Sequence, residues 1–131
     1  MRALDTNVLV RALVQDDPAQ AKRAQDFLSA QPVYVPITVV LELEWVLRSR
    51  YGFSRRAIAD AMEKLAVLEN AVIGEQAAVV AASRKMRQGW DFADALHHSL
   101  SAGCEDFATF DTRLVRRAGR DRSISPAVKA I

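Results

Sequence analysis

The chain of 131 residues predicts an α/β fold: a mostly parallel central sheet of short strands with helices on both faces. Short apolar runs alternate with segments of helical period along the whole length, and parallel strands can be joined only through crossovers of that kind. Two of the runs, one ending at Leu4 and one at Phe110, stop at an aspartate that is followed at once by a helical pattern.

Residues 1–5 read as the first strand, because Asp5, Thr6 and Asn7 are turn-prone and Val8, Leu9, Leu13 and Val14 follow at helical spacing. Asp16, Asp17 and Pro18 mark the next helix start; Ala21, Ala24, Phe27 and Leu28 form its apolar stripe, and Gln31-Pro32 closes it. Residues 33–35 read as a second strand. Thr38 is the expected N-cap of a helix running to about Tyr51, with Gly52 in the left-handed position that ends it. Ser54 starts another helix with Ile58, Met62 and Leu65 facing inward, so the two form a protruding helical hairpin. Residues 71–73 are the third strand. A helix from Glu75 to about Gln88 follows, with Ala78, Val79, Ala82 and Met86 in register and Gly89 at its end. Asp91 opens a helix to about Ala102, stopped by Gly103; residues 106–110 are a strand that runs into Asp111 and a basic helix, and residues 123–125 read as a last strand.

Half the residues are apolar and only nine are Gly or Pro (five and four), the balance of one globular domain over 1–131 rather than a disordered or fibrous chain. Asp5 arrives where a secretory signal would be building its apolar core, and the longest apolar run, residues 33–41, falls far short of the ~20 residues that cross a bilayer. A cytoplasmic protein without membrane contact is expected. The single cysteine, Cys104, has no disulfide partner and reads as a buried thiol; no Cys/His spacing suggests zinc. The net charge of +2 says little about partners, but its distribution says more. Arginines cluster at 48, 50, 55 and 56 and again at 113, 116, 117, 120 and 122, while several acids stand singly beside apolar residues. Basic groups around an acidic centre suit a phosphodiester substrate; solvated helix faces are the alternative.

In open α/β sheets, ligand sites form beyond the carboxyl ends of the strands, where helices begin. Asp5 and Asp111 both fall there, in Leu-Asp-Thr-Asn and Thr-Phe-Asp-Thr, either as ligands or as N-caps alone. In Val-Val-Leu-Glu-Leu, Glu42 sits among apolar residues where a carboxylate needs compensation, and Glu44 competes for the same role. Residues two apart on a helix are rotated by about 200°, so only one of them can face a given site, and periodicity alone does not choose. Asp91 and Asp94 share a helix face, Asp91 placed as N-cap and Asp94 as the inward-pointing ligand candidate. His97 and His98 are possible substrate contacts, with an exposed or internally satisfied imidazole as the alternative for each.

Taken together, Leu-Asp-Thr-Asn-Val-Leu, Glu-Leu-Glu-Trp-Val-Leu, Asp-Phe-Ala-Asp-Ala-Leu-His and Thr-Phe-Asp, in that order, resemble PIN-domain proteins, in particular VapC-type toxins of bacterial toxin–antitoxin pairs. The resemblance spans Asp5 to Asp111. It implies a PIN-like three-layer α/β/α sandwich with four or five short strands, and an acidic quartet at Asp5, Glu42, Asp94 and Asp111; it chooses Glu42 over Glu44 because the family's glutamate precedes a Leu-x-x-Val-Leu pattern. It also implies supporting roles for Asn7, Thr109 and Asp91. Four such carboxylates would repel one another without divalent cations, and hard oxygen ligands suit one or two Mg²⁺ or Mn²⁺ ions. The resemblance further implies hydrolysis of single-stranded or looped RNA leaving a 5′-phosphate, a homodimer, and a cognate antitoxin that delivers an Arg or Lys to the acids. Arg113 and Arg116 are the leading candidates for RNA contacts.

Two other classes compete. A phosphatase with an aspartyl nucleophile wants a second Asp where Asn7 stands, and a receiver-like domain wants an acidic pair near its first strand and a lysine after its last. A non-catalytic binding module would use the same acids only as caps and surface charges.

Overall fold

Five short strands, every pair of them parallel, organise the chain in a computed structural model that describes all 131 residues. In chain order the elements are β1 (Arg2–Ala3), α1 (Thr6–Val14), α2 (Pro18–Ala30), β2 (Val33–Val35), α3 (Ile37–Ser49), α4 (Arg55–Ala66), β3 (Ala71–Ile73), α5 (Gln76–Arg87), α6 (Phe92–Ser99), β4 (Asp106–Thr109), α7 (Thr112–Ala118) and β5 (Ala127–Ala130). This is the α/β architecture that the alternation of strand and helix patterns predicts. The strands pair in two groups, β1-β2-β3 and β4-β5, rather than in one continuous ladder. Only two residues of β1 have strand geometry, too few to carry a ladder on both edges.

Within the first group Val33 aligns with Arg2 on one side and Ala71 on the other. Alternation along β2 puts Val33 and Val35 into the core and leaves Tyr34 on the opposite face. The chain leaves β3 through Gly74, where a Cβ would lie 2.8 Å from the Tyr34 hydroxyl oxygen, so a larger residue would displace that ring. In the second group Asp106 to Thr109 aligns residue for residue with Ala127 to Ala130.

Local chemistry explains most helix starts. Asp17 caps α2 by accepting from the Gln20 N–H, with Pro18 at the first helical position, and Ser54 caps α4 by accepting from Ala57. Thr38 is not the cap of α3: the helix begins at Ile37 behind Pro36, whose extended backbone delivers the chain without a side-chain cap. The α3–α4 hairpin turns through Gly52 at φ +65°, the left-handed conformation expected there. Ile58, Met62 and Leu65 of α4 and Ala78, Val79, Ala82 and Met86 of α5 all enter one core of 25 buried residues, as their spacing predicts.

Three local readings change. The last strand lies at 127–130, not 123–125, because Asp121 takes both the N–H and the hydroxyl of Ser123 into a turn and Pro126 has no N–H to give a ladder. Helix α6 ends at Ser99 rather than near Ala102, since Ser101 turns its hydroxyl back to the His97 carbonyl. Cys104 is exposed, being in the loop that follows that turn instead of in the core.

His98 is the polar pivot of the core. It is fully buried, with one ring nitrogen 2.7 Å from the Pro126 carbonyl, the other 2.7 Å from the Lys85 amine, and the Trp90 ring packed at 5.2 Å. Lys85 donates in addition to Ser99, so the imidazole ties α5, α6 and the approach to β5 together. Burial holds the His98 pKa below its ordinary value; the Pro126 carbonyl opposes that and the Lys85 charge adds to it. A histidine whose folded pKa is depressed contributes full stability above its unfolded pKa of about 6.5 and loses it as pH falls below that value. Denaturation curves should therefore show His98→Leu less stable than the parent by about 1–3 kcal/mol at pH 7.5, where it strands the buried Pro126 carbonyl and takes one of two partners from Lys85. The gap should narrow as pH drops toward 5; a gap independent of pH would contradict the neutral, buried imidazole.

Candidate active site

All the sequence-predicted acids except Glu42 belong to the start of a helix. Asp5 follows β1 and caps α1, its Oδ1 accepting the Thr6 N–H at 2.9 Å. Asp111 follows β4 and caps α7, its Oδ1 accepting from Arg113 at 2.9 Å and Leu114 at 3.2 Å. Asp91 caps α6 through Oδ2, which accepts from the Asp94 N–H at 3.3 Å, and Asp94 stands third in that helix as its pattern predicts. Glu42 is in the second turn of α3 and exposed, with Oε1 accepting from the Thr6 hydroxyl. In Asp5, Asp111 and Glu42, one carboxylate oxygen is committed to the protein and the second has no donor within it.

Three observations connect these acids. Thr6, next to Asp5, holds Glu42, so the β1–α1 junction and α3 meet. Glu42 and Ala93, the neighbour of Asp94, line one groove of about 390 Å³ with Leu41 and Trp45, so α3 faces the start of α6. Asp94 lies within electrostatic reach of both Asp91 and Asp111, so α6 faces the end of β4. The structure thus brings Asp5 toward Glu42, and Asp94 toward Asp91 and Asp111, with the α3–α6 groove between the two sets. It does not close them into one cage: no three His, Cys, Asp or Glu side chains are gathered to hold an ion as they stand. Like-charged carboxylates repel one another, and here Asp5, Asp91 and Asp111 each remain on their own helix cap.

Asp94 bears the electrostatic cost of the arrangement. It is partly buried and its carboxylate accepts no hydrogen bond from the chain. Desolvation raises its pKa first, then the charges of Asp91 and Asp111, opposed by His97 and Arg117. A partly desolvated carboxylate without a donor, facing two more acids, is an oxygen donor set that fits a hard divalent cation.

Glu44, the competitor of Glu42, is buried and paired with Arg48 at 2.8 Å, which commits both to the protein. Thr109 supports Asp111, its hydroxyl accepting the Asp111 N–H at 2.9 Å; Asn7 is exposed and makes no side-chain hydrogen bond. His97 is exposed near Asp94, whereas His98 is a core residue. Arg113 and Arg116 are exposed on α7 without an ion-pair partner in the chain, while Arg55 is spent on the Met86 and Trp90 carbonyls. Sequence reasoning missed Thr6 as the support of Glu42 and Arg117 as a cation acting on Asp94; neither stands at a spacing that connects it to its acid along the chain.

An α/β chain with acids at the ends of parallel strands and at the starts of the neighbouring helices holds them where open α/β sheets form their ligand sites. Residues 2–120 match the PIN domain, and the chain belongs to that family, whose members are nucleases that typically depend on divalent metals and act on nucleic acid. Comparison with curated proteins and with solved structures returns no match. No helix is long and apolar enough to cross a membrane.

The raised pKa of Asp94 carries a stability consequence. A carboxyl whose folded pKa lies above its unfolded one binds its proton more tightly when folded, so ionising it at neutral pH costs stability. Asp94→Asn should raise the melting temperature at pH 7 in chelator by about 1–3 °C, with the gain shrinking as pH falls through the folded-state pKa. Added Mn²⁺ should stabilise the parent and not the variant. An unchanged or lowered melting temperature in chelator would show that Asp94 does not carry the cost of desolvation and neighbouring charge.

Proposed function

We propose that this chain is a Mg²⁺- or Mn²⁺-dependent endoribonuclease, the toxin of a type II toxin–antitoxin pair of the VapC type, working in the cytoplasm. Asp5, Glu42, Asp94 and Asp111 hold one or two ions, with Asn7, Thr109 and Asp91 in support. The observation that carries this reading is the position of Asp94: partly buried, without a donor, and confronted by Asp91 and Asp111. Membership of a nuclease family sets aside the phosphatase and receiver-like alternatives.

When bound, the cation supplies an activated water and charge for the phosphate oxygens. The chain's own groups supply position. Caps fix one oxygen of Asp5 and of Asp111 and leave the other to face the site, and Thr6 orients Glu42 in the same way. The free guanidinium groups of Arg113 and Arg116, on the helix that Asp111 opens, bind the phosphates next to the one being cut. As a toxin the chain forms a homodimer and is held inactive by an antitoxin segment whose Arg or Lys neutralises the acids.

Two measurements check the reading. An RNA pool incubated with the parent should be cleaved with Mg²⁺ or Mn²⁺ and spared by chelator. Asp5→Asn and Asp94→Asn should lose more than about 100-fold, and Thr6→Ala or Asp91→Asn the roughly 10- to 100-fold typical of a supporting partner. Cleavage that survives chelation, or variants as active as the parent, would overturn it. Separately, Arg113→Glu with Arg116→Glu should weaken RNA affinity and flatten its dependence on salt by about one unit of slope per lost contact; an unchanged slope would remove both from the interface.

A further inference from the structure

Two aromatic side chains that face solvent lie within one turn of the acids along the chain. Three large aromatics face solvent: Tyr34, Trp45 and Phe110. Tyr34 is accounted for by its seat against Gly74. Trp45 is 49% exposed one turn beyond Glu42 on α3, and lines the groove that Glu42 and Ala93 share. Phe110 is 82% exposed between Thr109 and Asp111. Each of these two exposed rings thus stands beside one of the acids, and covering its face with a ligand would recover about 25 cal/mol per Å² of apolar surface.

Resting on the nuclease reading of the acids, we propose that Trp45 and Phe110 are stacking platforms for two unpaired bases of the RNA strand, one on each side of the phosphodiester addressed by the acids. Every base has a π face, so stacking selects an unpaired strand without selecting a sequence, and a duplex conceals those faces. The Arg50 guanidinium, 5.9 Å from the Trp45 ring centroid, brings positive charge to the platform, where the phosphate of a stacked nucleotide needs it. The groove beside Trp45 runs past Thr38, Leu41 and Ala93, small and apolar groups against which a base and its sugar can lie.

The chain contains two tryptophans, and Trp90 is buried, so fluorescence quenching on RNA binding reports Trp45. The test titrates the full chain carrying Asp94→Asn, which keeps the RNA intact, with a short single-stranded RNA and with the duplex of the same sequence. Single strands should quench the fluorescence and bind more tightly than the duplex. Adding Trp45→Ala or Phe110→Ala should weaken single-strand binding by about 5- to 100-fold each, as expected for the loss of one stacked base, and Trp45→Phe should retain most of it. Equal affinity of both alanine variants and their parent, or equal binding of duplex and single strand, would overturn the proposal. So would a Trp45→Ala variant that binds RNA normally but changes its sedimentation, which would make Trp45 an interface between copies. Quenching by RNA in a chain whose wild type cleaves nothing with Mg²⁺ or Mn²⁺ would support the platforms and sink the nuclease reading; cleavage without quenching would do the reverse.

Discussion

Parallel pairing is the constraint on which the rest of the molecule depends. Each parallel neighbour requires the chain to return over the sheet, so the strands of each group end on the same side and the following helices begin there. Helix starts leave N–H groups without partners, and aspartates are among the residues that satisfy them. Asp5 and Asp111 are therefore at the strand ends for a structural reason as well as a chemical one. The same geometry thus places a helix-capping acid at the end of β1 and another at the end of β4.

Division of labour within each carboxylate reconciles the two roles. One oxygen of Asp5, Glu42 and Asp111 is held by a backbone N–H or a threonine hydroxyl, which fixes the side chain, and the other is left to the rim. Asp94 has no such anchor and bears the repulsion of its neighbours, so it is the member most sensitive to whatever neutralises the rim. Glu44 shows the opposite solution on the same helix: buried, paired with Arg48, and withdrawn from the surface. Two glutamates two residues apart thus serve the core and the rim respectively.

Polar chemistry inside the core follows the same rule of full satisfaction. His98 and Lys85 are held among Trp90, Phe107, Ser99 and the Pro126 carbonyl, and no buried side-chain polar atom lacks a partner. At the surface, Arg87 bridges α4 and α5 through Asp60 and Glu63, an exposed network that fixes orientation more than it adds stability. Arg113 and Arg116 on α7 have no ion-pair partner within the chain, whereas Arg48 and Arg55 of the hairpin are held by Glu44 and by the Met86 and Trp90 carbonyls.

Periodicity and turn chemistry by themselves determined the α/β class, the strands at 33–35 and 71–73, the inward faces of α4 and α5, and the caps at Asp17, Ser54 and Asp91, because each depends on residues within a turn or two of one another. They also marked Asp5 and Asp111 as residues at strand ends. What only the tertiary structure decided are relations across the chain: the Thr6 hydroxyl that holds Glu42, the burial of Glu44, the position of Arg117 near Asp94, the sealing of His98 behind Pro126, and the shift of the last strand to 127–130. Hydrogen-bond partners and charges act through space over a few ångströms regardless of sequence separation, so no local pattern encodes which distant groups will meet.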